Sequence, residues 1–164
     1  MRDGVSSGIH FGLTSGVITT LGLIVGLHSG TRSELAVIGG IVTIAIADAL
    51  SDALGIHIAK EAEQRHTARH VWLATLATFA AKFSMASTFI VPVLLLPLDL
   101  AILVSVAWGL LVIALLSVMM ARAQGARWLP VVGEHVGIAL LVVVVTHFVG
   151  DAVARTFGTP GLGG

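Results

Sequence analysis

Asp48 and Asp52 stand four residues apart in "IADALSDALGIHIAKEAE" (residues 46–63), a stretch otherwise apolar until its charged end. At ~100° per residue, that step brings both carboxylates near one face of a helix, and Ser51 is expected on the same side. Clustered oxygen donors of this kind suit a hard or borderline divalent cation. Two carboxylates this close repel when both are ionised, so one is expected to hold a proton until a cation displaces it. That is the chemistry of cation/proton exchange. A competing reading pairs one or both aspartates with Lys82 in "FAAKFSMAS" (79–87), the one cation in the middle of an apolar helix. Lys82 can also be functional, as a built-in counter-charge that fills the site when no cation is bound.

Other ionisable residues fall into weaker patterns. His147 and Asp151 are spaced i, i+4, a common way for a carboxylate to orient an imidazole, and are expected as a proton relay. Glu63, His66 and His70 share one stripe if the second helix continues past the membrane, which would make a cytoplasmic metal-capture patch; a solvated loop is the simpler reading. Glu134 and His135 in "VVGEHVG" are expected at an interface, and His57, pointing away from the aspartate face, in packing or at an interface. Met85, Met119 and Met120 read as packing residues.

The elements that must position these groups follow from composition. Hydrophobic residues make up 56% of the chain and charged residues 11%, with a mean hydropathy of +1.00. That is too little polar surface to cover a soluble globule, so the expected class is an all-α polytopic membrane protein. A span takes ~20 apolar residues, and continuous rather than alternating runs exclude a barrel. Five spans are expected, at about 8–28, 35–59, 71–96, 100–121 and 131–156, forming a single membrane domain over 1–164. Pro92 and Pro97 are expected to close the third. The N-terminal "MRDGVSSGIH" lacks the pattern of a cleaved signal peptide, so insertion is expected to rely on the first helix. The "GTPGLGG" end (158–164) reads as a disordered tail.

Arg2, Lys60, Arg65, Arg69, Arg122 and Arg127 fall on one side of this arrangement, and Arg32 and Arg155 on the other. The positive-inside rule then gives a cytoplasmic N-terminus and an external C-terminus. Zero net charge implies no nucleic-acid partner, and the absence of cysteine leaves no disulfide framework or thiolate site. No resident cofactor is expected. On the first helix Ser15, Thr19, Gly22 and Gly26 lie within about 60° of one another, and Gly8, Gly12 and Gly16 form a second run. Such stripes let backbones approach closely, either within the chain or across a dimer.

With these residues in view, the chain resembles the vacuolar iron transporter family, five-helix proteins that move ferrous or manganous ions in exchange for protons. The resemblance is carried by "SGVITTLGLIVGL" (15–27), by "IADALSDALGIHIAKEAE" and by "HFVGDAVARTFG" (147–158). Ser15 stands where the family usually has a metal-binding aspartate, Asp52 where it has methionine and Ile56 where glutamate is usual. Exchanging a thioether for a carboxylate shifts the expected preference toward harder metals. The metal-binding helical insert of many members is reduced here to "KEAEQRHTARH" (60–70). The resemblance implies a homodimer with a pathway between the first helices, and export from the cytoplasm.

The expected function is therefore proton-coupled transport of a divalent cation, Fe²⁺ or Mn²⁺ foremost, by a non-enzymatic integral membrane protein, in the plasma membrane if prokaryotic. Asp48 and Asp52 are the expected ligands, with Ser15, Thr19 and Ser51 as auxiliary oxygens and Lys82 as counter-charge. One alternative is a non-transporting helix-bundle subunit whose polar groups join helices. The other is an intramembrane hydrolase using Ser15 and His147, for which no Gly-x-Ser-Gly motif occurs and no oxyanion hole can be argued.

Overall fold

In the computed structural model, which describes residues 2–63 and 67–158, the chain is built from six α-helices and, among those residues, no strand. They are α1 (Arg2–Thr31), α2 (Glu34–Ala62), α3 (Ala68–Thr88), α4 (Ile90–Leu95), α5 (Leu98–Ala123) and α6 (Trp128–Phe157). Five stretches are long and apolar enough to cross a membrane: Val5–Thr31, Glu34–Ala62, Ala68–Leu95, Leu98–Ala123 and Trp128–Phe157. One such helical stretch stands at each of the five expected positions. The helices run beyond the expected bounds because polar ends that do not belong in hydrocarbon still satisfy their backbone by continuing the helix.

The outside of this bundle is greasy. Leu50, Leu54, Ile58, Leu76, Leu103, Leu111 and Leu141 are all exposed, whereas Thr20, Ser29, Thr78, Lys82, Ser105 and Ser117 are buried. A soluble protein distributes these types the other way round. The arrangement is compatible with an integral membrane protein, in which backbone bonds close inside each helix and polar side chains turn inward.

α1 is the central helix. Half of its apolar window is buried, at 50%, against 11% for α6, and it packs on α2, α3, α5 and α6. Its glycines explain how. Gly8, Gly12 and Gly16 face Ala74, Thr78 and Lys82 in ascending order, so α1 and α3 run parallel and in backbone contact. A Cβ on Gly12 would lie 2.6 Å from the Thr78 carbonyl oxygen. One turn further on, Gly22 and Gly26 face Val142 and Thr146 of α6, and Gly30 meets Gly150. Both small-residue runs thus serve packing inside the chain.

The third span departs from expectation at its proline. Pro92 does not close a helix; the break falls earlier, at Phe89, and the chain restarts as α4 with Pro92 at its third position. In a first turn the missing N–H of proline has no intrahelical acceptor to disappoint, so the ring is tolerated there. Thr88 hydroxyl donates to Met85 O at 2.7 Å and accepts from Trp108 Nε1 at 3.1 Å, tying the break to α5. Leu96 is extended (φ −126°, ψ 154°), as a residue before proline favours, and Pro97 does end the span.

Alanine at Gly12 gains about 1 kcal/mol of helix propensity but drives a methyl into a backbone carbonyl that no rotamer can move. The overpacking cost of about 1–3 kcal/mol is expected to win, lowering the thermal midpoint in detergent. Gly39→Ala, where a Cβ would meet nothing within 4 Å, is expected to leave the midpoint unchanged or raise it.

Candidate functional site

Where α1, α2 and α3 meet, a lysine sits between two aspartates. The Lys82 side chain is 1% exposed, and its Nζ lies 2.5 Å from Asp48 Oδ2, 2.5 Å from Asp52 Oδ2 and 2.9 Å from Ser15 Oγ. Ser15 hydroxyl donates in turn to Asp52 Oδ2 at 2.7 Å. An ammonium has three N–H donors, and here it has three oxygen neighbours, one or two from each facing helix. The site is the joint product of three local patterns.

On α1, Gly12 and Gly16 remove the bulk that would hold the helix away from α3, and the aliphatic stem of Lys82 fills the space over Gly16. On α2, Ala45, Ala49 and Ala53 form the buried stripe, and Asp48 and Asp52 flank it. Their side chains keep 27% and 20% exposure while reaching inward. On α3, Lys82 follows Ala74 and Thr78 along the buried face. Its stem is therefore apolar-packed and its head group delivered to α2.

The two carboxylates are not equivalent. Asp52 Oδ2 accepts from both Lys82 and Ser15. Asp48 Oδ2 is enclosed and close to Nζ, yet takes no hydrogen bond of acceptable direction. It is an ion-pair partner held by proximity. By formal charge, one ammonium against two carboxylates leaves the cluster one negative charge in excess.

Other expected ligands are distributed differently. Thr19 donates to the Ser15 carbonyl at 2.9 Å and so caps its own helix turn. Ser51 lies about 60° around α2 from Asp48 and about 160° from Ala49 of the buried stripe, and it is exposed, outside the contacts of the Lys82 cluster. His147 and Asp151 do not pair with each other. His147 Nδ1 meets Ser29 Oγ at 2.6 Å, and Asp151 is taken by Arg155 at 3.2 Å. The i, i+4 geometry was available, but a buried serine on α1 competes for the ring and an arginine nearer the helix end competes for the carboxylate.

Ser29 is fourteen residues along α1 from Ser15, about 21 Å at 1.5 Å per residue. His147 therefore belongs neither with Lys82 nor with Ser15 as a nucleophile–base pair. Glu63 forms an ion pair with Lys60 at 3.5 Å, and His66 lies outside the described residues. His70 is in the first turn of α3, its backbone N–H bonded to Thr67. Among the described residues no group of three or more His, Cys, Asp or Glu side chains is placed to hold a metal. His57, as expected, is in packing: its Nδ1 lies 3.0 Å from Thr75 Oγ1 and its ring is edge-on to Trp72.

Other polar links between helices also escape sequence reasoning. His28 Nε2 meets Asp99 Oδ1 at 2.8 Å, with Arg32 3.9 Å from the same oxygen, and His135 Nδ1 meets Ser117 Oγ at 2.8 Å. The partners are 71 and 18 residues apart, and no local spacing signals them.

Removing the better-bonded carboxylate is expected to cost more. Asp52→Asn weakens the acceptor of two directed hydrogen bonds, from Lys82 and Ser15, a loss of about 1.5–3 kcal/mol on the scale of hydrogen bonds to charged groups. Asp48→Asn, which removes no directed hydrogen bond, is expected to cost less. Chemical denaturation of the detergent-solubilised variants measures the order, and equal losses would contradict the asymmetry. No protein-family model matches the chain, and comparison with curated proteins and with solved structures likewise finds no match.

Proposed function

We propose that this chain is a membrane transporter that exchanges divalent metal cations, Fe²⁺ or Mn²⁺ foremost, for protons, and that the Lys82–Asp48–Asp52 cluster is where the exchange occurs. The observation that supports this is the charge count: one ammonium faces two carboxylates at mid-span. A site built only to join helices needs one carboxylate per lysine. The second one creates a standing requirement for a cation.

Electroneutrality then sets the exchange. Without metal, Lys82 as ammonium, one carboxylate and one carboxylic acid sum to zero. With a divalent metal bound to both carboxylates, the sum is zero again if the carboxylic acid and the ammonium have each given up a proton. The contacts of Nζ with the aspartates are replaced by metal–oxygen bonds, and two protons leave per metal ion. Ser15 Oγ, within bonding distance of both Lys82 and Asp52, is the natural third oxygen. An all-oxygen set suits Mn²⁺ and Fe²⁺ above softer ions.

The positive-inside rule assigns the basic turns between α2 and α3 and between α5 and α6 to the cytoplasm, and export as the direction rests on the resemblance to the vacuolar iron transporter family. An odd number of spans then puts the C-terminus outside. A homodimer through the first helix would use the surface groove between α1 and α6, lined by Leu23, Leu27, Val149 and Val153, since Gly8, Gly12 and Gly16 are taken up by α3.

The alternative, a non-transporting helix-bundle subunit, is favoured by one observation: Lys82 already has an oxygen neighbour for each of its three N–H groups. Flux in proteoliposomes separates the two. Protein with the proton gradient imposed is expected to carry Mn²⁺ or Fe²⁺, and Asp52→Asn to fall to the protein-free background. No flux of Fe²⁺, Mn²⁺, Zn²⁺, Co²⁺ or Mg²⁺ in the parent would refute transport and leave the subunit reading.

A further inference from the structure

On the side of α1 away from Lys82, a cavity of about 240 Å³ opens between α1, α5 and α6, and two imidazoles line it: His10 from α1 and His135 from α6. Met120 and Thr14 line the same space, and among the residues whose side chains are described no carboxylate does. We infer that this cavity is a second metal site, selective for a borderline transition-metal dication such as Zn²⁺, Co²⁺ or Ni²⁺, with the two imidazoles as its ligands and the Met120 thioether and Thr14 hydroxyl beside them.

The argument rests on the hydrogen bonds behind His135. Ser117 donates its hydroxyl proton to Ile113 O at 2.7 Å, so its oxygen is left as the acceptor toward His135 Nδ1 at 2.8 Å. In that arrangement Nδ1 carries the ring proton. In the neutral imidazole the lone pair is consequently on Nε2, the nitrogen that Ser117 does not hold. A hydrogen bond to one ring nitrogen that fixes the tautomer and orients the other is how proteins prepare a histidine to bind metal. Ser117 is buried and supplies that bond from a separate helix.

His10 complements it. Among the described residues no hydrogen bond or ion pair engages the His10 ring, although it is half-buried against the bundle. Its position on α1 and that of His135 on α6 bring an imidazole from each side of one space. Imidazole with thioether favours late first-row dications and disfavours Mg²⁺ and Ca²⁺, which require oxygen. The oxygen-only cluster at Lys82 has the opposite preference, so the two sites are chemically distinct. This inference holds whether or not the Lys82 cluster transports anything.

The test is Zn²⁺ titration of tag-free, detergent-solubilised full-length protein carrying Asp48→Asn and Asp52→Asn, which disables the first cluster. One Zn²⁺ is expected to bind per chain, with imidazole scattering in the zinc-edge X-ray absorption spectrum and no competition by excess Mg²⁺. His10→Gln and His135→Gln are each expected to weaken binding at least about tenfold, and Ser117→Ala about tenfold through loss of the tautomer, with rescue by Ser117→Thr. Should any variant misfold by circular dichroism, ¹⁵N-imidazole spectra of the unaltered protein give the same answer. Zn²⁺ is expected to shift the Nε2 resonance of His135 and a resonance of His10. Unchanged resonances on those two rings, or parent-like affinity in a folded His135→Gln, would overturn the site.

Discussion

The contact of Lys82 with Asp48 and Asp52 makes demands on every neighbouring helix. A charge moved from water into an apolar interior is stabilised there only by partners of good geometry, and losing one partner costs more than the pair contributes. The bundle meets that demand by closing α1 onto α3 through glycine, so that Ser15 arrives at the ammonium from one side while α2 presents its aspartates from the other. Any residue larger than glycine at position 12 would meet the α3 backbone before Ser15 reached Lys82. Fold and site therefore rest on the same packing constraint.

The asymmetry between the aspartates gives the cluster a direction. Asp52 is bonded twice and is the less exposed of the two; Asp48 is 27% exposed and its buried oxygen lacks a directed bond. The loosely held carboxylate is also the more exposed of the two. On another face of α1, the imidazole-lined cavity uses different donors.

The helices and the principal site were legible in the sequence because both break a simple rule. Long apolar runs mark the spans, and Asp48, Asp52 and Lys82 stand out as charges where hydrocarbon is expected. Pairing of Lys82 with the aspartates was one of two readings open from the residues, and the structure has both aspartates on it. Finer details depended on which face of each helix is buried. Ser51 is three residues from Asp48 and one from Asp52, but the stripe of Ala45, Ala49 and Ala53 turns it outward. His147 and Asp151 had the right spacing and found other partners, because Ser29 and Arg155 compete with that local bond. His28 with Asp99 and His135 with Ser117 are tertiary links between helices, which no periodicity within one helix encodes.

The central claim is that the cluster trades a divalent cation for two protons with no net charge moved. Its most direct test is Mn²⁺ flux into proteoliposomes at fixed pH gradient, measured with and without an imposed membrane potential while released protons are counted. The account expects two protons per Mn²⁺ and a rate indifferent to the potential. One proton per Mn²⁺, with a rate that follows the potential, would contradict it.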